Sequence, residues 1–470
     1  MLLADRIVLT EGIHKAEYAM AEQNTRLAKQ LYNAALFRIR QVFTGWGKTV
    51  RTENEEIVFS ELACLRAAYP ELPVRQVLSY KVLEKLMRVT ENPDFFAGLP
   101  MQSAQAVLKS AVQDFGNWLA SLKMYRKEPE KFLGKPRMPH YCKTERKTFT
   151  ITNQDAVLYP VYKDAASDTC GRTPGRHYAG RELKLPGIRH RMFLPHLPED
   201  AQLREVKVRP YYGKFLLILT LEVSRLPAQR ALPHAAGIDL GTDNIAAIVT
   251  TDGASRVYKG GAVLAGNRLF HRERAKAVRA LTRGTERRHV SSRHLDRLSE
   301  KHGSFVQDMM HKISTDIVRF CIEHGAGTIV IGTNPLWKQG AGMGMRNNQN
   351  FESVPHAVLR WMITYKAQNA GIRVVCQEES YTSKADVTSG DPMPVFGKTD
   401  TGAACFSGKR VGRGLYRCRD GSLINADCNG AANVLRKAVP DAWKGRTDFS
   451  FLAHPESKGF QSLNRKRAAA

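Results

Sequence analysis

Three acidic positions in the second half of the chain have the type and setting for phosphodiester chemistry. Asp239 stands in GIDLGT, in a strand-like apolar stretch flanked by glycines that let backbone approach closely. A buried, unpaired carboxylate is costly, so a metal ion or another partner is expected beside it. Glu378 and Glu379 end the run IRVVCQEE. Side chains alternate along a strand, so only one of the two can point inward. Asp427 lies in LINADCNGAANVLRK, whose small residues allow a helix to pack closely on a sheet. Carboxylates brought together from separate segments can hold two divalent cations that clamp the attacking and leaving oxygens of a phosphodiester. Each position also has an ordinary reading: a strand-end cap for Asp239, a solvated strand end for the glutamates, a helix N-cap for Asp427.

The flanking elements suit such convergence. GIDLGTDNIAAIVTTDG reads as two strands with a turn at Asp252-Gly253. FVQDMMHKISTDIVRFCIEHG reads as a core helix, with Ser304 and Gln307 as its capping box and Gly325 just past its end. GTIVIG, VPHAVLRWMITYKAQNAG and IRVVCQEES then give strand, helix and strand, the order of an α/β domain. Upstream, residues 4–12 suggest a short strand, and residues 13–124 are mostly helical. Within them Leu108, Val112, Phe115, Leu119 and Leu122 share one face at helical spacing. From about 145 to 225 short strands dominate, the last pair forming a hairpin at Tyr212-Gly213.

The chain has 470 residues, room for about three domains. Lys and Arg number 71 against 45 Asp and Glu, a formal charge of +26. Self-repulsion of that size calls for a polyanionic partner, and nucleic acid is the obvious one. No apolar leader core opens the chain and no long apolar run occurs in it, so the expected location is the cytoplasm, without membrane association. The eight cysteines include no C-x-x-C pair, which argues against a zinc site and, in the cytoplasm, against disulfides.

The motifs GIDLGT, IVIGTNPLWKQ, NNQNF, EESYTSKAD, FSGKR with RGLYR, and INADCNGAAN together resemble the TnpB family. These are transposon-encoded RNA-guided nucleases related to compact type V CRISPR effectors and to the Fanzor proteins. The resemblance covers roughly residues 235–440 at motif level and the N-terminal part in layout. It implies a multidomain α+β protein: a first wedge strand (1–12), a helical recognition domain (13–124), a β-barrel-like wedge domain (125–230), an α/β RNase H-like (RuvC) nuclease domain (231–440) with a degenerate zinc-ribbon or target-loading insert near 384–420, and a basic tail (441–470). Two departures stand out. Most relatives carry Glu where this chain has Gly332, and most carry a zinc ribbon of two C-x-x-C pairs, absent here. Some relatives draw the acid instead from the strand before the TS dipeptide. Glu379, three residues before Thr382, matches that arrangement, with Glu378 as second choice. The implied catalytic and metal-binding set is therefore Asp239, Glu379 and Asp427, using Mg²⁺ or Mn²⁺, with no zinc. The implied partners are a guide RNA and double-stranded target DNA. Gln102 and Gln105 are the expected readers of a short target-adjacent motif, since Gln can pair with adenine. Arg268, Arg272, Lys276 and Arg279, continuing through Arg287 and Arg288, and Lys409, Arg410, Arg413 and Arg417 are the expected phosphate contacts. Trp337 could stack on a base. The competing readings are an RNA-guided binder without catalysis and a DNA transposase.

Overall fold

The stretches 235–238, 245–249 and 329–331 are apolar at every position, the pattern of a sheet covered on both faces. The computed structural model describes residues 2–164, 176–224, 232–285, 290–334, 354–394 and 405–464, and the chain divides into two units, Met1–Arg225 and Leu226–Ala470. Among the described residues no helix is long and apolar enough to cross a membrane.

The first unit runs β1 (Leu2–Leu9), α1 (Lys15–Gly45), α2 (Glu53–Ala68), α3 (Tyr80–Val89), α4 (Met101–Lys127), β2 (Phe149–Thr152), β3 (Val157–Asp164), β4 (Arg176–Lys184), β5 (Met192–Leu194), β6 (Gln202–Tyr211) and β7 (Lys214–Glu222). A capping box between Thr52 and Glu55 starts α2. Tyr212 and Gly213, both at positive φ (44° and 72°), turn the β6–β7 hairpin as a two-residue loop requires. The strands make two open antiparallel sheets, β1-β7-β6-β2 and β3-β4-β5, rather than one closed barrel. The helical and β-rich segments, expected as separate domains, share one core: Leu31, Leu36, Leu108 and Phe115 cluster with Phe149, Val206 and Leu217. The apolar stripe of α4 needs a partner surface, and α1 and the first sheet supply it.

The second unit is built on a six-stranded sheet in the order β12-β11-β8-β9-β10-β16. Here β8 is His234–Asp239, β9 Asn244–Thr250, β10 Ser255–Lys259, β11 Ala326–Thr333, β12 Arg373–Glu378 and β16 Glu456–Lys458. β8, β9 and β10 form an antiparallel meander, while β11 and β12 run parallel to β8. Alternate side chains feed two cores. Ile238, Ile248, Ile329 and Ile331 pack against α6 (Arg293–Glu323) and α7 (His356–Asn369). Ala247, Val249 and Val330 pack on the other face against α8 (Ala426–Ala438). α5 (Gly261–Thr282) precedes α6, a short sheet β13-β14-β15 (Lys409–Gly412, Leu415–Arg417, Leu423–Asn425) precedes α8, and α9 (Phe460–Asn464) ends the described chain.

Two expectations are corrected. The helix placed after a Ser304 cap begins twelve residues earlier, where the Ser292 side chain accepts from the Leu295 N–H; Ser304 and Gln307 lie inside α6. The segment from 441, expected as a basic tail, folds onto the sheet: Trp443 and Leu452 are buried, and β16 pairs with β10. Arg256 fixes that edge by pairing with both Glu456 and Asp316.

Candidate active site

Asp239 ends β8, the strand to which β9 and β11 both pair. Asp427 is the second residue of α8, and the Asn425 side chain caps that helix by accepting from the Asp427 and Cys428 N–H groups at 3.0 and 3.1 Å. A carboxylate in the first turn also suits the positive end of the helix dipole. α8 lies close to the sheet because glycines leave room. A Cβ on Gly237 would stand 2.3 Å from the Ala431 carbonyl oxygen, and one on Gly430 would stand 2.7 Å from Asp239 Oδ2. The small-residue run in INADCNGAAN thus brings the Asp427 helix onto the Asp239 strand.

Glu379 follows β12 directly. Its side chain reaches across the neighbouring strand β11 to Gly332, one step beyond the Ile238–Ile331 pair that joins β8 to β11. A Cβ at Gly332 would come within 2.8 Å of Glu379 Oε2 and 3.1 Å of Val434 Cγ2. Gly332 is therefore more than a missing acid: its bare backbone is the space the Glu379 carboxylate uses. Glu378 is engaged elsewhere, accepting from the Ser380 N–H at 2.6 Å and pairing with Lys437. Burial pushes the Glu378 carboxyl up, but the bonds from Lys437 and Ser380 outweigh it and hold it below the usual range.

The electrostatics separate the two glutamates further. Part of Asp239 meets solvent, yet its carboxyl is surrounded by protein. That burial, then the charges of Glu379 and Asp427, push it up to about 7, against the pull of Arg410. Burial and the neighbouring Glu378 raise Glu379 also, opposed by Arg360 and Lys437. Asn244, the first residue of β9, donates from Nδ2 to Asp427 Oδ2 at 2.6 Å, and Arg410 Nη2 stands 3.6 Å from Asp427 Oδ1. Among the described residues no group of three or more His, Cys, Asp or Glu is already gathered in ligating geometry. The donor set still fits a hard divalent cation: all the candidate ligands are carboxylate oxygens, and Asp239 has like charges around it with little to offset them.

The other sequence-derived positions fall as follows. Arg268, Arg272, Lys276 and Arg279 are exposed and lie three or four residues apart along α5, one basic stripe. Lys409, Arg410, Arg413 and Arg417 are exposed on β13, β14 and their turn, with Arg413 paired to Asp243. Gln102 and Gln105 sit half-buried in the first two turns of α4, in the other unit. Trp337, the NNQNF motif, Arg287 and Arg288 lie outside the described residues. Sequence reading did not single out Asn244; the available signal was a polar residue opening the strand that returns from Asp239. It also passed over Asp386 and Asp391, which organise the stretch near 384–420. Asp386 accepts from the Thr388 and Arg419 N–H groups and from the Thr388 and Ser389 hydroxyls. Asp391 accepts from the Asp386 N–H and from both the N–H and the hydroxyl of Ser407.

The chain resembles known proteins over much of its length. A transposase family model (OrfB_IS605, "Probable transposase") matches residues 219–337, and the Cas12f1-like TNB domain matches residues 356–434. The chain is 25% identical over 363 residues to the TnpB-like protein ORF457 of Acidianus two-tailed virus, covering 72% of this chain and 73% of that protein. It is 29% identical over 160 residues to the CRISPR-associated endodeoxyribonuclease Cas12f1 of Sulfoacidibacillus thermotolerans, covering 34% of this chain and 33% of that one. A Cas12f1–sgRNA–target DNA complex solved by cryo-EM aligns over 91% of this chain and 86% of its own, with a TM-score of 0.46 at 13% identity. The chain is thus similar to a TnpB-like protein over most of its length and to Cas12f1 over about a third of it.

Proposed function

We propose that this protein is an RNA-guided, metal-dependent DNA endonuclease whose site is Asp239, Glu379 and Asp427. What supports the reading is that Asp239 at the end of β8 is pushed up to about 7 by burial and then by the charges of Glu379, just after β12, and Asp427, at the start of α8, while glycines bring both the α8 backbone and the Glu379 side chain close to the sheet. The strand order supports an RNase H-like core: an antiparallel meander with two further strands added parallel to its first member. Mg²⁺ or Mn²⁺ held by these carboxylates would neutralise charge at the scissile phosphate and lower the barrier to attack by water. The remaining work belongs to the chain's own residues. Asn244 fixes the orientation of the Asp427 carboxylate. Lys437 draws Glu378 away, leaving Glu379 as the inward acid. Arg410 brings a cation to the edge of the site, where a phosphate approaches.

The partners follow from charge and kinship. A chain at +26 needs a polyanion, and the Cas12f1 structure that this fold aligns with is a complex with sgRNA and target DNA. In this reading α1–α4 serve recognition, the β-rich part of the first unit acts as the wedge, and β13–β15 with residues 384–408 load the target strand. Gln102 and Gln105 read the target-adjacent motif. The α5 stripe and Lys409, Arg413 and Arg417 hold phosphates.

The test is plasmid cleavage by the full chain with the RNA that co-purifies with it. Asp239→Ala and Asp427→Ala should abolish Mg²⁺-dependent cleavage and leave guided DNA binding nearly unchanged, because binding rests on pairing and phosphate contacts elsewhere. Guided binding without cleavage by the wild type, under any divalent metal, would overturn the nuclease reading.

A further inference from the structure

Glu379 lies one residue past the last rung that joins β12 to β11, so the sheet ladder alone does not fix it. A tight turn follows. The Thr382 N–H and hydroxyl both donate to the Glu379 carbonyl, at 3.3 and 2.8 Å. The Lys384 and Ala385 N–H groups both donate to the Tyr381 carbonyl at 3.0 Å. Tyr381 itself has φ +66°, in the left-handed region that a residue with a side chain seldom enters. Such a conformation persists only where surrounding groups hold it, and it clusters at functional sites.

The holding groups come from α8. Asn429, Asn433 and Lys437 are spaced i, i+4 and i+8, so they share one face of that helix. Asn433 Nδ2 donates to the Thr382 and Ala385 carbonyls at 2.9 and 2.7 Å. Asn429 Nδ2 donates to the Ala385 carbonyl at 2.8 Å, and its Oδ1 accepts from the Val387 N–H at 3.2 Å. Lys437 Nζ donates to the Ser380 carbonyl at 3.1 Å. Both asparagines are 0% exposed. Asn433 Oδ1 meets no donor among the described residues, which costs stability that an apolar side chain of similar shape would not. Packing therefore does not explain an amide at 433; its two donated bonds do. The same helix carries Asp427, so α8 sets one acid directly and reaches the other through the turn.

We propose that Asn433, with Asn429 beside it, is a positioning residue that holds the Glu379 carboxylate at the cation site through the 379–385 turn. The path is short: Asn433 fixes the Thr382 backbone, and Thr382 fixes the Glu379 carbonyl. The inference rests on the reading of Asp239, Glu379 and Asp427 as a cation site, and the Mn²⁺ titration below keeps the two apart.

Mn²⁺ is titrated into the full chain with its co-purified RNA, and free Mn²⁺ is read by electron paramagnetic resonance. Ions held by RNA are subtracted with the double variant Asp239→Ala, Asp427→Ala. Asn433→Leu keeps the bulk and loses both donors. It should bind Mn²⁺ about ten- to a hundredfold more weakly, the usual effect of removing a group that orients a metal ligand. Guided DNA binding should not change. Cleavage should fall and partly recover at higher metal concentration, a shift of midpoint that a merely less stable fold would not give. Asn433→Ser, which keeps one donor, should fall between. In the wild type, Mn²⁺ should slow hydrogen exchange in peptides covering 380–387 and 426–438 together, a readout that needs no variant to fold. Equal Mn²⁺ midpoints for wild type and folded Asn433→Leu or Asn433→Ser, or protection of one peptide without the other, would overturn the proposal. If the wild type holds no more Mn²⁺ than the double variant, the cation site itself fails, and with it the reading on which the inference rests.

Discussion

Two groups of buried acids in the second unit show how the same side chain serves opposite ends. Asp386 and Asp391 are enclosed, and each meets a full set of fixed donors from backbone N–H groups and hydroxyls. Burial pushes Asp391 up, but its hydrogen bonds from Asp386 and Ser407 prevail and hold it below the usual carboxylate range. Asp239 has one backbone hydrogen bond, at Leu240, and two acidic neighbours, and it is driven up to about 7. Satisfied carboxylates fasten a loop; in the function proposed above, a carboxylate left among like charges is held ready for a cation. Perturbation of the second kind marks functional sites more often than structural ones.

The larger effects in this comparison come from Glu379 and from the room that Gly332 leaves it. Gly332→Ala puts a methyl group 2.8 Å from Glu379 Oε2 and 3.1 Å from Val434, so the carboxylate must move. Displacement of a reacting group by about 1 Å can lower the rate about a hundredfold, and plasmid cleavage should fall by that order. Glu379→Ala should fall at least as far, and Glu378→Ala by only a few-fold. The double variant Gly332→Glu, Glu379→Gly places the acid on the adjacent strand and should recover activity relative to Glu379→Ala. Normal cutting by both glutamate variants, single and combined, would remove Glu379 from the site.

A smaller effect separates fastening from poising. Asp386→Ala leaves the Thr388 and Arg419 N–H groups without their acceptor, and thermal or urea unfolding should show a loss of about 2–4 kcal/mol. In metal-free buffer above pH 7, Asp239→Asn should move the other way, gaining about 1–3 kcal/mol because a desolvated charge among like charges is removed. If both substitutions destabilise equally, the contrast between the two groups has no energetic basis.

Sequence pattern reached the parts of this molecule that local chemistry dictates. β8 and β11 are readable because burial on both faces makes their centres continuously apolar, β12 from its Val374-Val375 pair although it is a part-exposed edge strand, and the hairpin at Tyr212-Gly213 because two positive-φ residues are needed there. Asp239 and Asp427 were singled out as acids in apolar or small-residue settings. What escaped depends on residues far apart in the chain. Asn244 matters only through Asp427, and Asp386 only through Arg419 and the Ser389 turn. The strand at Glu456–Lys458 exists because Arg256 and the edge of β10 receive it; its own composition reads as a tail. At Gly332 the sequence registers an absent acid, whereas the reason for glycine, space for Glu379, is visible only in three dimensions.

The contrast extends to a cation, where the effect is smallest. Lys366 on α7 donates from Nζ to the His311 carbonyl at 2.8 Å and to the Ser314 and Thr315 hydroxyls at 2.7 Å, all on α6. These acceptors are neutral, and burial lowers its pKa from 10.5 to about 8. Below pH 8 folded and unfolded chains both carry the proton, so the folded state bears the full desolvation cost. Between about 8 and 10.5 the unfolded chain binds more of the proton than the folded one, so stability from this group must rise with pH. Lys366→Met lacks that titration. The stability of the wild type relative to Lys366→Met should therefore increase from pH 7.5 to pH 10, by roughly 0.5 kcal/mol once solvent screening at this half-exposed group is included. Paired urea titrations at the two pH values give the difference directly and cancel the titration of other groups. A difference that stays flat or falls would mean that the hydroxyl and carbonyl acceptors on α6 already compensate the charge, which would place Lys366 with the fastening acids and not with Asp239.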